Sequence, residues 1–315
     1  MASSPTKLKA YLQLYRLPNL FTAMADIAMG FWLTHTAFDP GSSHVLMLML
    51  VSSCLLYTAG MVLNDYFDRD VDARDRPHRP IPSGRVPAAL AKIIGVEFLV
   101  LGVAFGWLVS FLTADLRAGL VASLLAAAVF LYDYVLKRTP LGPLAMGSCR
   151  MLNVLLGMSA AAAPWQSIHY VTAGGIGLYI VGVTWFARTE AHVSNRGHLT
   201  LATTVMMAGI MLCASLPNWQ AAIPLLDEEK LTAGLDQWQL LMLCIALLLG
   251  YRCGRAILDP IPSRVQAAVK ICILSLIVLD AAICFKVRSD EPIYALVIIA
   301  LLLPTMWLGR WIYST

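Results

Sequence analysis

The sequence predicts an all-α fold, a polytopic membrane bundle, from three observations. The first is composition: of 315 residues, 59% are hydrophobic and 13% charged, and the mean hydropathy is +0.71. A soluble domain is about a quarter charged, so a water-soluble enzyme is excluded. The second is segmentation. Ten apolar stretches of near-spanning length fall at roughly 15–37, 44–64, 88–112, 116–136, 140–163, 169–187, 199–217, 235–256, 266–285 and 292–311. The fifth and seventh are the weakest, because both contain small or polar residues. The third is loop charge. Lys7, Lys9, Arg16, Arg69, Arg74, Arg76, Arg79, Arg85, Lys137, Arg138, Arg188, Arg196, Arg255 and Arg264 lie on one set of connections. The opposite set holds Arg117, Lys230, Lys286 and Arg288 beside Asp227, Glu228, Glu229, Asp290 and Glu291. Positive charge stays inside, so both termini are expected in the cytoplasm. Compact loops and the lack of a transit or cleavable signal pattern point to a multi-pass protein of the cell inner membrane. The whole chain, 1–315, reads as a single domain, with 292–315 as an accessory last helix.

Taken in order, the first segment opens Arg16-Leu17-Pro18-Asn19, and Pro18 suits a first helical turn. Asp26 falls about 15 Å into the bilayer at 1.5 Å per residue. An acid at that depth is expected to face a polar pocket or to bond a neighbouring helix.

The second segment ends in Asn64-Asp65-Tyr66-Phe67-Asp68-Arg69-Asp70-Val71-Asp72. Asp65, Asp68 and Asp72 stand at i, i+3 and i+7, which on one helix aligns them on one face. Carboxylates about 5–6 Å apart repel by about 3 kcal/mol per pair at an effective dielectric of 20. Something must offset that, and a hard divalent cation is the usual solution. Arg74 to Arg85 follow at once, broken by Pro77, Pro80, Pro82 and Gly84. Arginines beside metal-holding acids point to a diphosphate–metal site, because guanidinium grips phosphate oxygens in a bidentate way. Arg79 or one neighbour is expected to touch ligand, and His78 is expected to be a loop residue.

The fourth segment ends Tyr132-Asp133-Tyr134-Val135-Leu136-Lys137-Arg138. The tyrosines suit an interfacial belt, and the two cations reach a diphosphate equally well. Arg150, with Asn153 three residues on, falls inside the fifth segment. An intramembrane arginine needs an anionic partner, here Asp26, another acid, or an anionic ligand. After the sixth segment, Glu190 and Ser194 stand at i, i+4 and are expected to share a helix face, with His192 structural. The stretch from Arg252 to Lys270 is a lid or a connecting loop, and Asp280 is expected to make a helix contact. The seven cysteines show no Cys-x-x-Cys pair or zinc spacing and are read as small apolar packing residues. A net charge of +4 follows from the loop asymmetry, and no basic stripe is interleaved with aromatics for nucleic acid.

These residues resemble the UbiA superfamily of intramembrane prenyltransferases. Asn64-Asp65-x-x-Asp68-x-x-x-Asp72 is similar to its first Asp-rich motif, and Arg79-Pro80-Ile81-Pro82-Ser83-Gly84 to the segment after it. Met146-Gly147-x-Cys149-Arg150-x-x-Asn153 and Arg188-Thr189-Glu190 resemble the EboC branch most closely. The resemblance implies nine to ten transmembrane helices around a central cavity. It implies Mg2+ held by Asp65, Asp68 and Asp72, with Glu190 as the remaining metal-binding acid, and these four as the catalytic set. It implies an isoprenyl diphosphate held by Asn64, Arg79, Lys137 and Arg138, with Arg150, Asn153, Asp26 and Tyr132 lining the substrate site. The acceptor would be lipophilic or aromatic, and Tyr66 or Tyr132 would face the developing allylic cation. Two departures stand out. The family's second motif, Asp-x-x-x-Asp, is here Glu190-x-x-x-Ser194, and a tenth segment is present where nine are usual. The sequence therefore supports a Mg2+-dependent prenyltransferase. The rival is a UbiA-fold protein that binds or transports an isoprenoid or aromatic metabolite without transferring it.

Overall fold

A computed structural model describes residues 7–35, 40–216, 236–289 and 291–312, and all the regular structure among them is helical. The loop charges Asp227, Glu228, Glu229, Lys230 and Asp290 lie outside the described residues. In chain order the helices are α1 (Lys7–Leu14), α2 (Leu17–Thr34), α3 (Pro40–Phe67), α4 (Arg69–Asp75), α5 (Ala88–Thr113) and α6 (Arg117–Tyr134). A 3-10 turn (Leu136–Arg138) leads to α7 (Gly142–Met158), α8 (Ser167–Ala187) and α9 (Arg196–Ala214). They are followed by α10 (Gln237–Leu258), α11 (Pro262–Val287), α12 (Ile293–Ala300) and α13 (Leu302–Trp311).

Among the described residues, 8 helical stretches are long and apolar enough to cross a membrane. The chain is an integral multi-pass membrane protein. The eight match all the predicted segments except the first and fifth. The seventh, expected to be weak, stands as Arg196–Ala214. The two that fall short are α2, which carries Asn19 and Asp26, and the 17-residue α7, which carries Arg150 and Asn153. In α2 the polar residues lower the apolarity, whereas α7 is too short. The last segment is split at Leu301, because Pro304 has no N–H for the carbonyl of Ala300.

The chain forms two compact units. One comprises Met1–Pro140, Leu152–Ala161 and Ile277–Thr315, the other Leu141–Met151 and Ala162–Leu276. In the first, α3 packs along α5 and against α2 and α6, and α12 and α13 pack on α2. Glycines bring α2 against the second half of α7. A Cβ on Gly30 would lie 2.6 Å from the Val154 carbonyl oxygen, and one on Gly157 2.6 Å from that of Ile27. A buried cluster of Ala10, Leu14, Val62, Ile81, Val86 and Ala91 pins α1 and the proline-rich loop to α3 and α5. In the second unit α8 packs on α9, and α9 on α10. There the Tyr179 hydroxyl donates to the Cys272 carbonyl at 2.8 Å. All seven cysteines are free, and five of them are buried. That agrees with a packing role.

Candidate functional site: an acidic helix end clasped by four basic side chains

The predicted single helix through the acidic stretch is two helices. α3 ends at Phe67 and α4 starts at Arg69, with Asp68 (φ −93°, ψ 1°) at the joint. The path stays nearly helical, because the Asp68 N–H donates to the Asn64 carbonyl at 3.0 Å and the Asp72 N–H to the Asp68 carbonyl at 2.8 Å. The acids divide between two sets of partners. Arg79 Nη1 donates to Asp72 Oδ2 at 2.6 Å and to Asp65 Oδ1 at 3.3 Å. Asp65 Oδ1 also accepts from Arg16 Nη2 at 3.0 Å. Asp68 turns to Lys137 Nζ at 2.8 Å and Arg138 Nη2 at 3.5 Å. Lys137 Nζ further donates to Asn64 Oδ1 at 2.9 Å, and Arg138 to the Phe67 carbonyl at 3.1 Å.

The mutual repulsion of the acids is thus offset by Arg16, Arg79, Lys137 and Arg138. Asp65, Asp72 and Arg79 are all buried, so these contacts act where water screens little. Arg79 reaches them because the loop after α4 is a set of turns: the Ser83 N–H donates to the Arg79 carbonyl and the Val86 N–H to the Pro80 carbonyl, each at 3.0 Å. Arg85 ties the same loop to α1 by donating to Gln13 Oε1 at 2.8 Å. His78 is exposed on it, as expected of a loop residue.

Among the described residues, no three His, Cys, Asp or Glu side chains converge as a ready cation cage. The donor set still fits Mg2+. The helix end presents three carboxylates and the Asn64 amide oxygen, all hard oxygen donors. Magnesium is usually held by only one or two carboxylates, with waters and substrate phosphates completing its shell. The cations now on Asp65 and Asp68 are of the kind that also bind phosphate oxygens.

Deeper in the same unit, Asp26 is fully buried and accepts from Asn153 Nδ2 at 2.9 Å. Asn153 in turn accepts from Ser53 Oγ at 2.6 Å and donates to the Ala23 carbonyl at 3.0 Å. Of the two expected uses of Asp26, a polar pocket or a bond to a neighbouring helix, this bond is the second, made through Asn153. Arg150, half-buried on α7, belongs to the second unit. Tyr132 is half-buried on α6. Tyr66, half-buried, packs on the Val62–Val86 cluster, and the Arg69 guanidinium lies 4.7 Å over its ring.

One expectation fails. Glu190 and Ser194 do not share a helix face, because α8 stops at Ala187 and the chain runs on through turns until Asn195 caps α9. The half-buried Glu190 accepts from Gln266 Nε2 through its carbonyl, at 3.3 Å. Ser194 is buried: its hydroxyl accepts from Thr189 Oγ1 at 2.8 Å and donates to the Thr189 carbonyl at 3.1 Å. Its N–H donates to the Pro260 carbonyl at 3.0 Å. The side chain that replaces a carboxylate is used to hold the turn.

Two residues escaped assignment from sequence. Arg16 reads there as a topology charge, yet it binds Asp65. It does so from a left-handed backbone (φ 46°, ψ 45°) between α1 and α2, a conformation that costs a non-glycine residue about 1–2 kcal/mol. Asp133 sits unremarked between two tyrosines, and its signal was its place four residues before Lys137.

The sequence matches the model of the UbiA prenyltransferase family over residues 23–250. It is 31% identical over 163 residues to a digeranylgeranylglyceryl phosphate synthase of Methanopyrus kandleri, covering 50% of this chain and 57% of the relative. It is 36% identical over 161 residues to the protein of that name from Ignicoccus hospitalis, covering 50% and 49%. The chain thus spans about half the length of these relatives. Neither carries the EboC name, so that finer placement rests on the sequence resemblance alone. In fold it resembles a UbiA homologue from Archaeoglobus fulgidus solved with GPP and Mg2+. There the TM-score is 0.63 at 15% identity, over 92% of this chain and 99% of the other. An apo UbiA homologue from Aeropyrum pernix K1 gives 0.63 at 16% identity, over 85% and 97%. The chain belongs to the UbiA prenyltransferase family.

Proposed function

We propose that this protein is a Mg2+-dependent intramembrane prenyltransferase that moves an isoprenyl group from a prenyl diphosphate to a lipophilic or aromatic acceptor. The observation that carries the reading is the clasp: three carboxylates at one helix end, held by Arg16, Arg79, Lys137 and Arg138. Those pairs are exchangeable. Asp65 and Asp68 would hold the metal, and Lys137 and Arg138 would hold phosphate oxygens. Bound Mg2+ would neutralise the leaving diphosphate. Lys137, Arg138 and Arg79 stabilise the charge that grows on the departing oxygens. Asn64 orients Lys137 through its amide oxygen, and Tyr66 or Tyr132, both half-buried, would face the allylic cation. Relatives named for a product with geranylgeranyl groups on glyceryl phosphate support a long donor and a lipid-like acceptor. The arginine-rich connections support placing the acidic helix end on the cytoplasmic face.

A second reading, isoprenoid binding without transfer, is favoured by one observation. The place of the second motif's last acid is taken by Ser194, which is committed to Thr189. Incubating the protein in liposomes with labelled geranylgeranyl diphosphate, Mg2+ and an acceptor panel separates the two. Prenyl transfer predicts diphosphate release with Mg2+ and none with EDTA, and Asp68→Asn lowers it by on the order of 100-fold or more. Binding without release supports the second reading, and no binding overturns both.

A further inference from the structure

Asp133 lies one residue before the end of α6 and is only 2% exposed. Its Oδ2 is buried and, among the described residues, has no hydrogen-bond partner. A buried acceptor left empty costs about 1–3 kcal/mol, so stability alone does not favour an aspartate here. Its surroundings are those of the acidic site: the charges of Lys137 and Arg16 attract it, and those of Asp68 and Asp65 repel it. Across from it stands Gly60 of α3. A Cβ there would press on Val129 Cγ1 at 2.9 Å and come within 3.8 Å of Asp133 Oδ2. The glycine lets α3 and α6 close up and keeps a side chain off the oxygen.

We propose that Asp133 is a substrate-binding residue that takes a hydrogen bond from a hydroxyl of the acceptor, beside the place where the diphosphate is held. The chemistry selects this ligand. A diphosphate brings acceptor oxygens, and an acceptor that lacks a donor gains no hydrogen bond from them. A neutral hydroxyl supplies the donor that Oδ2 lacks. The inference rests on the prenyl-transfer reading and deepens it, by naming a hydroxyl-bearing acceptor and the residue that recognises it.

The test uses the full chain in nanodiscs and equilibrium binding, so it needs no turnover. The probes are a labelled geranylgeranylglyceryl phosphate with a free hydroxyl, its O-methyl ether, and geranylgeranyl diphosphate with Mg2+. The wild type is expected to prefer the hydroxyl form by about tenfold, as one hydrogen bond to a buried acceptor predicts. Asp133→Leu and Asp133→Asn should reduce that preference while leaving diphosphate affinity within about twofold. In the absence of probe, Asp133→Leu should melt no lower than wild type, because it removes an unpaired buried acceptor. The proposal is overturned if the wild type shows no preference, if both variants keep it, or if Asp133→Asn weakens Mg2+–diphosphate binding as much as Asp68→Asn does. Failure of diphosphate release in the wild type, with the hydroxyl preference intact, would instead count against prenyl transfer alone.

Discussion

Arg79 and Asp72 form the shortest ion pair of the acidic helix end, 2.6 Å from Nη1 to Oδ2, with both side chains buried. The same nitrogen reaches Asp65 at 3.3 Å, so one guanidinium holds together two acids seven residues apart. Removing it strands both. Arg79→Ala is expected to cost about 3–5 kcal/mol, the range for breaking a buried pair. Millimolar Mg2+ should restore part of the loss, because a divalent cation substitutes for the guanidinium. Melting in detergent with Mg2+ or EDTA measures both effects. Equal melting of variant and wild type would show that the pair does not hold the site.

Arg16 combines an ion pair with a backbone that disfavours it. Arg16→Gly and Arg16→Ala both lose the contact to Asp65, but only alanine keeps the left-handed penalty at φ 46°. The glycine variant should therefore be the more stable of the two by about 1 kcal/mol. Paired denaturation curves read that difference directly, and an alanine variant as stable as the glycine one would contradict the strained joint.

Asn153 is the hub between Asp26 and Ser53. Asn153→Ala removes a donor from one and an acceptor from the other, both buried. The expected cost is about 1–3 kcal/mol for each group left unsatisfied. Asn153→Ala with Ser53→Ala should lose less than the sum of the single variants, since they share a bond. Additive losses in melting experiments would rule out the coupling.

Ser194 invites an obvious repair, Ser194→Asp, to restore the second acidic motif. The structure predicts the repair fails. The hydroxyl donates to the Thr189 carbonyl, and a carboxylate there faces that oxygen without a proton to share. The variant should lose about 1–3 kcal/mol and gain no turnover. A faster enzyme with unchanged melting would show that the turn can spare Ser194.

The sequence by itself determined the fold class and the position of the acids. Long apolar runs in a chain with few charges leave helices as the way to satisfy backbone groups in lipid, and local spacing alone places Asp65, Asp68 and Asp72 at one helix end. Only the tertiary structure decided who neutralises whom. Spacing does not encode that Asp65 and Asp72 pair with Arg79, and Asp68 with Lys137 and Arg138. The stop of α8 at Ala187 separates Glu190 from Ser194, although their spacing fits a helix face. The partner of Arg16 lies 49 residues away and that of Asp26 127 residues away. Such pairings depend on close helix packing, as where Gly30 meets Val154 and Gly157 meets Ile27. Periodicity reports which face of a helix is apolar, whereas the partner of a buried charge is chosen by the helix that packs against it.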